Sequence, residues 1–251
     1  MPLRNEHLIP PGEMIVQNKI GSSNKKDFDA VREEFARVGD RMAAGLVKQG
    51  PITPTSHILD AGCGLGRVSR GFVDVIGSDG SYTGIDVVPS SIGWCQAAYL
   101  EYPNFRFIQA DVYSKFYNPH GSTKAENFKL PFRTSSFDFI FSMSLFTHLL
   151  IDATDNYLAE MSRVAKLKTK LINTFFILDE GAKGRVKNFH EVTGGRVQDP
   201  EYPEAVSAIY LSELEAIHRK HSLEIVNVGF GTWSGRSDGK GYQDTIVSRR
   251  I

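Results

Sequence analysis

The stretch HILDAGCGLGRVSRGF, residues 57–72, decides the fold. A short apolar strand ends at Asp60, the turn Ala61-Gly62-Cys63-Gly64-Leu65-Gly66 follows at once, and apolar positions at helical spacing resume from Arg67 to Val75. Glycines at 62, 64 and 66 permit a tight turn and close approach of a ligand to the backbone, and a helix behind them offers unsatisfied N–H groups. The Asp60 carboxylate beside the turn can accept from backbone or engage a cationic ligand group. A dinucleotide fingerprint would place its third glycine where Arg67 stands, and the absence of a following Gly-Lys-Ser/Thr excludes a phosphate loop.

Working outward, the chain alternates between short apolar runs and helical spacing. Strands are predicted at 57–60, 82–86, 105–109, 137–141 and 171–176, with helices at 67–75, 90–102 and 153–165. That alternation predicts an α/β fold with a parallel sheet and right-handed crossovers. Asp86, with Val87 beside it, closes the second strand, where a carboxylate can take both hydroxyls of a ribose or simply cap the next helix. Asp111 ends the third, where its carboxylate can accept from an exocyclic adenine amine while the Val112 N–H meets a ring nitrogen. Acids at successive strand ends, joined to a glycine turn, outline an elongated site for a nucleoside with a charged tail.

Upstream, residues 1–23 read as an irregular arm, and Phe28, Val31, Phe35, Val38, Met42 and Leu46 mark an amphipathic helix. Residues 1–55 are expected to form this arm and helical cap, with one catalytic domain over 56–251. Two polar excursions, 113–134 and 179–207, exceed ordinary connection lengths, as binding loops and lids often do. The tail supplies a helix from Leu211 and strands near 223–228 and 243–247.

Composition narrows the class. The 251 residues are 41% hydrophobic and 23% charged, ordinary for a folded globular chain. Because 29 Lys and Arg balance 29 Asp and Glu, no strong field for nucleic acid or anionic lipid is expected. Two cysteines, Cys63 and Cys95, suit a reducing compartment, and no apolar stretch is long enough to span a bilayer, so a cytoplasmic protein with no membrane partner is expected.

On these motifs the chain resembles the class I S-adenosylmethionine-dependent methyltransferases, over roughly residues 56–178, with a bacterial small-molecule subgroup suggested by FTHLL, FYNP and GTWSGRSDGKGYQD. ILDAGCGLG resembles the methionine-binding turn (Asp60, Gly62, Cys63, Gly64, Gly66), GID the ribose-binding strand end and QADV the adenine contact. SFDFIFSMSLFTHL resembles the fourth strand, where Ser142 and Met143 would offer mainly backbone contacts to the methionine part of the cofactor. The resemblance implies a Rossmann-like, mostly parallel seven-stranded sheet with an antiparallel final strand, and S-adenosylmethionine as cofactor, leaving as S-adenosylhomocysteine. AKLKTKLINTFF departs from the family's Lys-Pro-Gly-Gly turn, leaving the geometry at Lys168 to Lys170 open.

The activity implied is methyl transfer to a small molecule, with a hydroxyl oxygen favoured and a sugar or other hydroxylated metabolite as acceptor. A cofactor-binding regulatory protein without turnover and a nicotinamide-dependent dehydrogenase are the alternatives. His148, just after SMSLFT, is the candidate general base, against a packing or capping role. His190, Glu191 and Tyr210 are weaker candidates from the second excursion. Phe116, Tyr117, Phe128, Phe132, Phe189, Tyr202, Trp233 and Tyr242 are candidate walls of an acceptor site. No metal site and no cysteine nucleophile are expected, and the chain is expected to act as a monomer or homodimer.

Overall fold

A computed structural model describes residues 5–18 and 27–251, in two compact units, 1–110 and 111–251. Gly21 to Ser23 of the expected arm lie outside the described residues. The described part is not irregular: a short 3-10 turn at Glu6–Leu8 precedes α1 (Gly12–Gln17).

In the first unit α2 (Phe28–Gln49) starts at Asp27, whose side chain accepts from the Ala30 N–H at 3.0 Å, and ends at Gly50. Its buried face, Val31, Phe35 and Ala36, packs with Ile9 and Ile15 against Leu65 of the glycine turn. Then come β1 (His57–Ala61), β2 (Ser81–Asp86), α3 (Pro89–Ala98) and β3 (Phe105–Gln109). β1 pairs parallel with β2, and β2 with β3, as the apolar runs require. The expected helix at 67–75 is not α-helical; only a 3-10 turn forms at Ser69–Phe72. Three valines, Ser69 and Gly71 give this segment weak helix propensity. The α2 backbone also crowds it: a Cβ on Gly39 would stand 2.0 Å from the Arg67 carbonyl, and one on Gly71 2.3 Å from Ala43 Cβ.

The second unit contains β4 (Phe137–Ser142), α4 (Ile151–Val164), β5 (Ala165–Phe175), β6 (Ile177–Leu178), α5 (Glu180–Lys183), β7 (His190–Val192), β8 (Gly195–Val197), β9 (Ser207–Tyr210), α6 (Leu211–Lys220), β10 (Leu223–Gly229) and β11 (Asp244–Arg250). β5 starts earlier than expected, directly after α4. Its departure from the family's turn is a bulge: Phe137 faces Ala165 but Phe139 faces Lys170, and Lys168 adopts φ +66°. The second excursion also differs from an irregular loop, because β6, β9, β8 and β7 build a small second sheet.

The main sheet has seven strands in the order β10-β11-β5-β4-β1-β2-β3, and β11 alone runs antiparallel to its neighbours. This is the Rossmann-like methyltransferase arrangement. Among the described residues, no helix is long and apolar enough to cross a membrane.

Candidate functional site

The first unit shapes the glycine turn. Gly62, Gly64 and Gly66 adopt φ of +83°, +51° and +74°, a region that side-chain-bearing residues rarely enter. Gly62 and Cys63 donate to the Ile85 carbonyl of β2 at 2.8 and 3.1 Å, tying the turn to the strand that carries Asp86. The Asp86 carboxylate accepts from the Gly64 N–H at 2.8 Å and the Val88 N–H at 2.9 Å. It thus links the two strand ends at the entry to α3, whose N-cap is Val88 and carries no side-chain cap. A carboxylate has roughly four lone-pair sites, leaving acceptor capacity for a diol. A Cβ on Gly64 would meet nothing within 4 Å, whereas one on Gly66 would stand 2.7 Å from Ser69 Oγ. Open space therefore faces the backbone at 64, and packing faces it at 66.

Asp60 is 2% exposed and accepts a hydrogen bond from the Tyr82 hydroxyl. Sequence reading missed Tyr82, although it shares a face of β2 with Gly84, the residue in register with Asp60. Burial raises the Asp60 pKa to about 7, with Asp86 adding repulsion, against relief from Tyr82 and Arg67. Burial also pushes up Asp86. Cys63 and Cys95 are buried with their thiols held well above the usual range by burial, so both are protonated packing residues. Cys63 fits because Gly84 lacks a side chain, a Cβ there standing 2.8 Å from Cys63 Sγ.

The raised carboxyl has a measurable consequence. Folded Asp60 retains its proton up to about pH 7 while unfolded aspartate releases it near 3.8, so the folded state binds more protons between those values. Stability therefore falls as pH rises through this window, by up to about 1.4 kcal/mol per unit, and levels off above it. Asp60→Asn keeps an acceptor for Tyr82 and should lose this slope. Urea unfolding of both proteins from pH 5 to 8 checks it; identical slopes would remove the effect.

In the second unit, Asp111 is exposed and its carboxylate accepts from the Ser122 hydroxyl and, at 3.1 Å, the Ser122 N–H, which hold its pKa down. It closes the neck of the first excursion, where Val112 bridges Thr123. Ser142 is buried and donates to Asn173 of β5 at 2.8 Å, which leaves its backbone as the part that can face a ligand. Met143 is half-buried just beyond β4.

His148 ends a 3-10 turn, Phe146–His148. Its Nδ1 lies 3.0 Å from the Glu204 carbonyl, which can only accept, so Nδ1 carries the proton and Nε2, 3.2 Å from the Tyr117 hydroxyl, is the acceptor. Burial lowers its pKa, keeping the ring neutral at physiological pH. The two excursions meet around this histidine. Ser114 donates to the Glu204 carboxylate, Lys115 donates to the Glu201 carbonyl at 2.9 Å, and the same ammonium sits 4.2 Å from the Tyr202 ring centre. Glu204 went unseen in the sequence because its role depends on the docking of distant loops.

The expected aromatic wall divides. Phe116, Tyr117 and Tyr202 belong to the docked excursions. Phe189 and Tyr242 instead cluster with Trp233 and Phe176. Phe128 stacks on Tyr157 of α4 and Phe132 meets Phe137 of β4 edge to face, so these two anchor the first excursion. Glu191 is engaged by Arg196 at 2.7 Å and by the Tyr210 hydroxyl at 2.6 Å, and His190 is exposed on β7. Among the described residues no group of three or more His, Cys, Asp or Glu is placed to hold a metal ion.

Comparison with known proteins gives a family-model match and several structural neighbours. Residues 58–168 match the methyltransferase-domain family model. A SAM-dependent methyltransferase from Methanosarcina mazei shares 21% identity at a TM-score of 0.54, over 80% of this chain and 94% of that one. One from Aquifex aeolicus shares 18% at 0.54, over 83% and 89%. A putative sarcosine dimethylglycine methyltransferase from Galdieria sulphuraria shares 13% at 0.58, over 89% and 88%. At these identities the solved structures show the shared fold alone, and the family model covers less than half of the chain.

Proposed function

We propose that the chain is a class I S-adenosylmethionine-dependent methyltransferase that methylates a hydroxyl oxygen of a small molecule, with His148 as proton acceptor. The observation that carries the oxygen assignment is the neutral His148 ring, Nδ1–H held by the Glu204 carbonyl and Nε2 presented to the Tyr117 hydroxyl.

S-adenosylmethionine is the methyl donor, supplying a sulfonium-activated methyl group. The turn fits such a group because its backbone at Gly64 faces open space and Asp86 retains acceptor capacity. In this reading Gly62, Cys63, Gly64 and Gly66 present backbone to the methionine part, and Asp60, through Tyr82, supports the turn from below. Asp86 and Val87 hold the ribose. Asp111 and Val112 contact the adenine, and Ser142 and Met143 add backbone contacts. As the acceptor oxygen attacks, its proton passes to the Tyr117 hydroxyl, whose own proton moves to His148 Nε2; the imidazolium is then stabilised by the Glu204 carbonyl. Docked excursions exclude water and position the acceptor, which supply much of the rate in methyl transfer.

Asp86→Ala removes a charge-assisted partner of the ribose and should weaken S-adenosylhomocysteine binding by about 1.5–3 kcal/mol, roughly 10- to 150-fold. Calorimetry on the folded variant measures this, and an unchanged dissociation constant would refute the ribose role. Radiolabelled methyl transfer across matched alcohols, phenols and amines tests the acceptor class. Labelling confined to amines would refute oxygen transfer.

A further inference from the structure

An open cavity of about 790 Å³ lies entirely within the second unit. Its wall includes Arg185, Lys187, Phe189, Gln198, Trp233 and Ser234, and no acidic residue lines it. Two cations without a carboxylate make an anion-attracting surface. Among the described residues neither Arg185 nor Lys187 is in an ion pair, although nearby Arg236 is held by Asp179 and Arg196 by Glu191.

The floor is built rather than incidental. Trp233 packs on Phe176 at 4.7 Å between ring centres and lies 6.1 Å from Phe189. Its indole N–H donates to Asp244 at 2.5 Å, and Asp244 also accepts from the backbone of Ile177 and Gly231. The segment after β10 is thereby fastened to the second sheet with the indole in a fixed orientation. Next to it, Ser234 is 5% exposed and its hydroxyl has no hydrogen-bond partner among the described residues. That oxygen is sealed within the packing, so polar recognition in the cavity falls to Arg185 and Lys187. Aromatic rings and two cations together recognise a flat apolar body carrying an acidic group.

We propose that this cavity is a binding site for an anionic small molecule, a carboxylate or phosphate ester on a planar apolar scaffold, held by Arg185 and Lys187 against Trp233 and Phe189. None of these residues is among those assigned above to the cofactor or to proton transfer.

Calorimetric titration with phenyl phosphate, benzoate and neutral benzyl alcohol tests it. The two anions should bind and benzyl alcohol should bind at least roughly tenfold more weakly, with affinity falling as salt rises. Arg185→Gln and Lys187→Gln remove exposed charges without touching the packing, and each should weaken anion binding roughly five- to tenfold. The stronger of the two anions identifies the acidic group. Tighter binding in saturating S-adenosylhomocysteine would identify an acid-bearing methyl acceptor, and unchanged affinity a separate effector; both support the site. Absence of anion binding, equal binding of benzyl alcohol, or affinities unchanged in both variants would overturn the proposal. S-adenosylhomocysteine is titrated in the same preparations, so failure of the cavity and failure of the cofactor reading are separate results.

Discussion

Gly64→Val should yield a folded protein whose affinity for S-adenosylhomocysteine has dropped by roughly 100-fold or more, while Gly66→Val should fail at the level of the fold. Both positions sit at positive φ, +51° and +74°, so a β-branched residue costs about 1–3 kcal/mol in strain at either. They differ in what the new side chain meets. At 64 it enters the open space that the proposed cofactor contact requires, and the loss there is read in binding. At 66 a Cβ lies 2.7 Å from Ser69 Oγ and 3.1 Å from Cys95 Sγ, adding a further penalty of about 1–3 kcal/mol from overpacking. Thermal unfolding and calorimetry on the two variants separate these outcomes. A folded Gly64→Val protein with unaltered affinity would remove the turn from the cofactor site.

His148→Ala should leave cofactor affinity unchanged and lower the single-turnover methylation rate by about 10²- to 10⁴-fold. The wild type should lose activity as pH falls, because protonating Nε2 removes the proton acceptor, and burial places that acid limb below the ordinary histidine range. The variant should show no such limb. Tyr117→Phe interrupts the same path one step earlier and should lower the rate while sparing the dissociation constant. A stable His148→Ala protein with the wild-type rate at every pH would reject the base assignment, and leave positioning by the docked excursions as the source of catalysis.

The turn and the acids at the strand ends are legible because they are local: a strand, three glycines and a carboxylate follow one another within ten residues, 57–66. The parallel direction of the central strands follows from the same alternation of apolar runs and helical spacing, whereas the seven-stranded sheet with its antiparallel final strand rests on the family resemblance. The segment after the turn reads as a helix because periodicity reports burial, and the close approach of α2 at Gly39 and Ala43 is invisible to it. The small second sheet escaped notice for a related reason: β7 and β8 have three residues each and β6 only two, too short for an alternating pattern. His148 was legible as a residue but its environment was not. Tyr117 and Glu204 reach it from loops 31 and 56 residues away in sequence, through hydrogen bonds that no local pattern encodes.

The most direct test of the account is calorimetric titration of the wild type and Asp86→Ala with S-adenosylhomocysteine and with NAD. The account predicts one S-adenosylhomocysteine per chain, weakened in the variant by roughly 10- to 150-fold, with no comparable NAD binding in either protein. Tight NAD binding without S-adenosylhomocysteine binding would contradict it.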